Sequence, residues 1–320
     1  MRGAGLLRCL PRALGVAGAL LLPVLAAAAP AAAGAAAEGL PWWVWPLGLL
    51  LACFVMGIVA VPAGIGGGTL FVPIIGSFFP FHLDFVRGAG LLVALASALS
   101  AAPTLLRSGL GSLRLALPLA LLASASSIAG AFLGLAMPVA VVQMLLGGLV
   151  LGIVVLMAVS KKSEFPEVAA PDRLSQALAL HGVFLDGASG RVVNWQVHRT
   201  VPGLVLFLGI GVLAGMFGIG AGWANVPALN LLMGAPVKLA AGSSGLVLSL
   251  VDSSAAWVYI NEGAVLPMVA VPSVVGMMLG ARIGARLLHV LHGAVVRRLV
   301  ITVLLFAGLR ALLKGMGVWP

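Results

Sequence analysis

The chain has 320 residues, of which 62% are hydrophobic and 8% charged, and its net charge is +10. Globular chains carry about 25% charged residues, so water cannot solvate most of this one. The 18 basic residues stand singly or in pairs at the ends of apolar runs, which argues against a nucleic-acid partner and reads as a set of topology signals.

Residues 1–37 have the form of a secretory leader or signal anchor. Arg2, Arg8 and Arg12 precede an apolar run from Ala13 to Ala29, and a small-residue tract then leads to Glu38. Either version keeps the basic end inside and puts Leu40 outside. A first membrane repeat is expected over 40–159. It opens with an apolar region, 42–79, too long for one span and interrupted by Gly64, Gly66, Gly67 and Gly68. Glycine costs about 1 kcal/mol in a helix interior relative to alanine, so this cluster predicts a break and a helical hairpin that enters and leaves on one side. The second arm, Thr69 to Phe79, has 11 residues. At about 1.5 Å per residue it reaches only half of a hydrocarbon core about 30 Å thick, which puts the glycine turn near the midplane. Three ordinary spans follow, at 86–106, 113–136 and 139–159.

Residues 160–202 hold most of the polar sequence and are expected to form a cytoplasmic linker. Within them Val183-Phe-Leu-Asp, Gly187-Ala-Ser-Gly190 and Val192 to Val197 read as a β-hairpin. A second repeat, 203–320, follows the same plan. Its hairpin region, 203–234, is broken at Gly218, Gly220 and Gly222, its second arm runs from Trp223 to Met233, and spans are expected at 240–260, 265–288 and 295–313.

The duplication is visible in the residues. Gly64-Ile-Gly-Gly-Gly-Thr-Leu-Phe-Val-Pro73 matches Gly218-Ile-Gly-Ala-Gly-Trp-Ala-Asn-Val-Pro227, an offset of 154 residues from Gly64 to Gly218. Arg107-Ser-Gly109 and Pro118 fall opposite Asn261-Glu-Gly263 and Pro272 at the same offset. Three crossings per repeat is an odd number, so consecutive repeats enter from opposite sides. The expected fold is an all-α integral membrane protein of two inverted repeats, each a glycine-broken helical hairpin plus three transmembrane helices. Starting outside at Leu40, this topology puts Arg107, Arg114, Lys161, Lys162, Arg173, Arg191, Arg199, Lys238, Arg282, Arg286, Arg297 and Arg298 inside, and only Arg87, Arg310 and Lys314 outside.

Irregular backbone at membrane depth survives only where protein or a water-lined cavity satisfies it, so the two turns are the leading candidate site. The helix arms that begin there aim partial positive charge at the centre, which favours an anion. The candidate substrate-binding residues are Gly64, Gly66, Gly67, Gly68, Thr69 and Pro73 in the first repeat. In the second they are Gly218, Gly220, Gly222, Trp223, Asn225, Pro227, Ser243 and Ser244. Ser97 and Ser100 are further candidates to line the same space. Asp252 is the one carboxylate in mid-span, a candidate proton carrier or gate, with hydrogen bonding to Ser253, Ser254 or Asn225 as the structural alternative. Arg87 and Lys238 stand at equivalent span starts, as interface anchors or as attractors of anions to the two mouths. Cys9 and Cys53 lie in the leader and in an apolar span, and the five histidines form no HExxH motif, so no metal or other cofactor is expected.

With both glycine motifs, the hairpin-plus-three-spans unit and the basic central loop in view, the chain resembles the sulfite exporter TauE/SafE family of bacterial membrane permeases over about residues 44–316. Ala221 departs from the family's usual third consecutive glycine, and the bulky Trp223 accompanies it. The resemblance implies a multi-pass permease of the bacterial inner membrane that exports or takes up a small anion such as sulfite, a sulfonate or a related organic acid. The mechanism expected is secondary transport by alternating access, with proton or sodium coupling and homo-oligomer formation left open. An intramembrane enzyme using Asp252 and a nontransporting membrane scaffold are the alternatives.

Overall fold

The structure, a computed structural model, describes residues 41, 43–63, 66–107, 111–159, 171–186, 191–287 and 293–318. The leader, Gly64, residues 160–170 of the linker and the hairpin tip at 187–190 lie outside the described residues. The first half consists of α1 (Val44–Ala63), α2 (Gly67–Phe78), α3 (Leu83–Arg107), α4 (Leu113–Ala136) and α5 (Val139–Val159). A short helix α6 (Arg173–Ala177) and strands β1 (His181–Asp186) and β2 (Arg191–Gln196) follow. The second half consists of α7 (Thr200–Phe217), α8 (Gly222–Pro227), a π-helical turn (Ala228–Leu232), α9 (Val237–Asn261), α10 (Pro267–Leu287) and α11 (Gly293–Gly315). Six of the described helices are long and apolar enough to cross a membrane. Large apolar side chains such as Leu121, Val155, Trp257 and Phe306 project outward from them, as helices solvated by lipid require.

The two short arms differ. α2 keeps α-helical form through Pro73 for 12 residues. The matching arm, expected as one helix over Trp223–Met233, stops being α-helical at Pro227 and widens into a π turn. Proline lacks the N–H that would continue the ladder. The chain resumes with longer bonds, from Met233 N–H to Ala228 O at 3.2 Å and from Ala235 N–H to Leu229 O at 2.8 Å. Asn230 Nδ2 donates to Ala235 O at 2.8 Å and holds the end of the turn.

Between the halves, β1 and β2 pair antiparallel, His181 opposite Gln196 and Asp186 opposite Arg191. Leu180, Trp195 and Val197 anchor this linker in a core shared by α4 of the first half and α7–α9 of the second. Asp172 reaches across to the start of α7, accepting from Thr200 N–H at 3.2 Å and from Thr200 Oγ1 at 2.7 Å.

The helices of the two halves interlock. α1 packs on α10 and α7 on α4, while α3 packs on α10 and α9 on α4, so each contact recurs with the halves exchanged. Two further pairs, α3 with α9 and α5 with α11, join equivalent helices directly. Ser112, after α3, donates its N–H to Ser243 near the start of α9, and Gly88 near the start of α3 abuts Ala264 just past the end of α9. Equivalent helices thus run antiparallel.

Backbone proximity zips the exchanged pairs. Gly130 on α4 lies against Val212 O on α7, and Gly284 on α10 lies against Ile58 O on α1. Both members of one contact are displaced by 154 residues from those of the other. Gly57 and Gly211 are a second matched couple, facing Met277 O and Ala123 O. In lipid no hydrophobic drive separates helix from solvent, so van der Waals contact through small residues supplies the attraction. Gly130→Val and Gly284→Val should each lower the stability of the detergent-purified protein by about 1–3 kcal/mol, as overpacking does. Thermal unfolding of the two variants side by side checks this, and equivalence of the contacts predicts similar losses.

Candidate functional site

The glycine turns meet. A Cβ built on Gly222 would lie 2.6 Å from Gly66 N and 2.9 Å from Gly66 Cα, so the two chain reversals touch backbone to backbone. Thr69 Oγ1 adds a bond across the contact, donating to Ile219 O at 3.4 Å. Each turn is covered by the other half's long helix. A Cβ on Gly66 would meet Leu248 Cδ2 of α9 at 3.6 Å, and one on Gly220 would meet Ala94 Cβ of α3 at 3.0 Å. Leu248 and Ala94 are themselves 154 residues apart. Residues of α2 are buried throughout, whereas Gly66 at its N-cap and Trp223 in α8 stay partly accessible.

Asp252 of α9 sits against the second turn. It is fully buried, and its two carboxylate oxygens lie 3.1 and 3.2 Å from where a Cβ on Gly220 would be. Gly220 has φ +70°, a left-handed conformation that bends the turn toward α9. The Ala221 backbone amide interacts with the carboxylate in a geometry looser than a standard hydrogen bond, and neither oxygen has a hydrogen-bond partner among the described residues. The structural alternative for Asp252 is thereby corrected. Ser253 Oγ and Ser254 Oγ both donate to Leu250 O, at 3.0 and 2.9 Å, because a serine hydroxyl in a helix reaches its own preceding turn. Asn225 is also fully buried, with neither amide atom bonded among the described residues, and the same holds for the indole N–H of Trp223. Three unsatisfied polar groups thus come from α8 and α9 of the second half. An isolated ionised carboxylate at such depth costs about 2.5–3.5 kcal/mol on insertion scales.

Other candidate residues serve the packing of the turns. Gly218 is the left-handed cap of α7, with φ +68°, its N–H bonded to Ala214 O at 3.0 Å and no room for a Cβ beside the Arg87 backbone. Gly67 abuts Met277 Sδ at 2.9 Å and Ser97 Cβ at 3.2 Å, and Gly68 abuts Ile219 O at 2.8 Å and Gly90 O at 2.9 Å, again measured from a built Cβ. Pro73 lies buried within α2, and Pro227 closes α8. Ser243 Oγ is occupied by Ser112 N–H at 3.1 Å, Ser100 Oγ by Ala96 O at 2.7 Å, and Ser244 is buried near the start of α9.

Arg87 is neither an exposed anchor nor an open-mouth cation. It is 1% exposed, because α3 starts at Leu83 and carries it into the bundle. Its Nη1 donates to Met216 O at 2.9 Å and Gly134 O at 3.0 Å, its Nη2 to the Asp84 carboxylate, and its guanidinium lies 5.7 Å from the Tyr259 ring centroid. Tyr259 Oη donates to Gly215 O at 3.0 Å, with Met216 O at 3.3 Å. Gly215 and Met216 end α7, so these two side chains satisfy carbonyls that the helix terminus leaves unpaired just before the second glycine turn. Tyr259 was missed in the sequence, although its being the chain's single tyrosine was a usable signal.

The family model described as Sulfite exporter TauE/SafE matches residues 49–311. A Bacillus subtilis (strain 168) protein named "Probable membrane transporter protein YdhB" is 23% identical over 261 residues, covering 82% of this chain and 98% of that protein. No solved structure matches the chain.

Removing Arg87 takes the donor from the buried Gly134 O, leaves Met216 O with Tyr259 Oη at 3.3 Å, and leaves the part-buried Asp84 with His82. Arg87→Leu should therefore destabilise the purified protein by about 1–3 kcal/mol, the cost of leaving a buried acceptor unsatisfied. Arg87→Lys should recover only part of the loss, because a point-like ammonium cannot reproduce the planar fork. Thermal melts of both variants test this, and a melt of Arg87→Leu unchanged from the parent would refute the role.

Proposed function

The chain belongs to the sulfite exporter TauE/SafE family, a family of membrane transporters, and from that premise we propose that it carries a small anion such as sulfite, a sulfonate or a related organic acid by alternating access. The observation that carries this reading is the crossing of the two glycine turns, with Gly66 and Trp223 partly accessible beside the buried Asp252. Thr69 N–H already donates to Gly66 O at 3.1 Å, so Gly67 and Gly68 are the amides that precede the first backbone bond of α2, and its macrodipole adds partial positive charge there. An oxyanion is small enough to be held by backbone donors alone. The two halves act as inverted repeats that rock about the crossing. Support comes from the antiparallel packing of α3 with α9 and from contacts that recur with the halves exchanged. The density of Lys and Arg in 160–202 favours a cytoplasmic linker in the bacterial inner membrane. Asp252 is the coupling group at the site, which favours protons over sodium, since sodium sites recruit several oxygens and the neighbouring serine hydroxyls are turned to backbone carbonyls.

Gly66 offers a clean test. A Cβ there would meet nothing closer than 3.6 Å, an ordinary contact, so alanine fits without strain. Gly66→Ala should leave expression and melting temperature unchanged and reduce sulfite or sulfonate flux in proteoliposomes at least tenfold, about 1.4 kcal/mol of site interaction. Undiminished flux would remove Gly66 from the path. Gly220→Ala should impair both flux and folding, since φ is positive there and Asp252 and Ala94 crowd the new methyl.

Topology has its own measurement. Cysteines placed at Ser163 and Asn261 should label from opposite faces of the membrane with an impermeant thiol reagent. Labelling of both from one face contradicts the inverted arrangement.

A further inference from the structure

We propose that the Asp252 carboxylate is an internal competitor of the transported anion: ionised, it occupies the turn at Gly220–Ala221, and only as the neutral acid does it yield that turn, so each anion bound brings in one proton. The inference rests on the anion-site reading above. Its basis is where the carboxylate sits. Both oxygens face Gly220, the Ala221 amide interacts with them, and no hydrogen bond from another described side chain holds them elsewhere. Asp252 thus stands where an oxyanion using this turn would stand, as the protein's own anion.

Among the described residues the buried cation nearest this turn is Arg87, and its charge is already paired with Asp84. α9 packs against α3, α4, α7, α8 and the π turn. On α3 the charged residues are Asp84 and Arg87 near its start and Arg107 at its end, and on α4 the one charged residue is Arg114 in its first turn. α7, α8 and the π turn carry none. On α9 itself, Lys238 lies in the first turn, and Tyr259 is about 10 Å beyond Asp252 along the helix axis and engaged with Arg87. A substrate anion and an ionised Asp252 would therefore share one water-poor space unscreened. A proton taken from water and held on one carboxylate oxygen balances the event: carboxylate, proton and anion become carboxylic acid and bound anion, with no net change in charge.

Asn225 follows the same turn on α8. Its buried amide offers both a donor and an acceptor without a partner among the described residues, as does the Trp223 indole N–H for the donor alone. These groups are ready for an oxyanion. They belong to the second half only, so the site is directional. The first half has Ala98 where the offset puts Asp252, and no acid that could play the same part.

The test uses methanesulfonate, whose single charge is constant across the range, binding to the full-length protein in nanodiscs between about pH 5 and pH 8. Calorimetric titrations in two buffers of different ionisation heat count the protons absorbed. The expected result is an affinity that falls about tenfold per pH unit above the transition, with about one proton taken up per anion. Asp252→Asn should bind with an affinity that no longer depends on pH and absorb no proton. Wild-type binding that is flat with pH and absorbs no proton overturns the inference while leaving the anion site standing. A folded Asp252→Asn protein that has lost binding at every pH also overturns it, since Asp252 would then be a ligand of the substrate. If the variant does not fold, the wild-type proton count decides alone. Absence of binding by both methanesulfonate and sulfite at every pH overturns the anion-site reading itself, and this inference with it.

Discussion

Two chain reversals touch backbone to backbone at Gly66 and Gly222, and the rest of the bundle is arranged to make that contact tolerable. Peptide groups in a turn cannot be left facing hydrocarbon, because nothing there replaces the hydrogen bonds of water. Both halves cover each turn, Ser97 and Ala94 lying on Gly67 and Gly68 and Asp252 and Leu248 on Gly220 and Gly222 from within the same half. The lid over Gly66 is Leu248 of the second half, and the lid over Gly220 is Ala94 of the first, so each repeat completes the other. The exchanged packing of α1 on α10 and α7 on α4 follows from the same need. Around the turns, glycines at Gly130, Gly284, Gly57 and Gly211 bring α4 close to α7 and α10 close to α1.

The reversals also create loose ends of another kind. Breaking a membrane helix exposes the last carbonyls of the first arm as well as the first amides of the second. In the second half these carbonyls, Gly215 O and Met216 O, are answered by Tyr259 and Arg87, and Arg87 also reaches Gly134 O at the end of α4 in the first half. A buried guanidinium is costly, and Asp84 beside it makes it tenable. On the amide side Thr69 N–H turns to Gly66 O and Ala224 and Asn225 N–H to Ala221 O, while the Ala221 amide makes its loose contact with Asp252. One end of the break is thus closed by side chains of α3 and α9, and the other largely by the backbone of its own turn.

The order of the long helices was legible in the sequence, and most of their boundaries to within three residues, because apolar length and glycine or proline punctuation are local properties, whereas the short α6 was not expected. The spans expected at 113–136 and 139–159 are α4 and α5 residue for residue. The π turn was not legible, since Pro73 and Pro227 occupy the same motif position and only the tertiary setting separates a helix that continues from one that widens. Side-chain direction was also out of reach. Arg87 read as a boundary cation because it lies near a span's start, whereas three extra residues at the head of α3 bring it inside. Ser243 read as a cavity residue, yet its hydroxyl meets an amide from the other half, a partner at a sequence separation no pattern reveals. Asp252 stood out by its rarity in mid-span, but that it faces Gly220 depended on helix rotation.

A backbone so nearly two-fold carries an unequal set of polar groups. Where the first half has Gly67 and Thr69, the second has Ala221 and Trp223, and where the first has Ala98 the second has Asp252. Thr69 is tied to Ile219 O, so the first turn's one hydroxyl is used in holding the crossing together. Trp223, Asn225 and Asp252 are not so tied among the described residues. Duplication supplies a frame whose contacts recur with the halves exchanged. Placing the ionisable and amide groups in one repeat makes the two sides of the central contact chemically unequal. The π turn at Ala228–Leu232 lies on the same arm, so the half that carries the polar groups is also the half whose helix departs from ideal form.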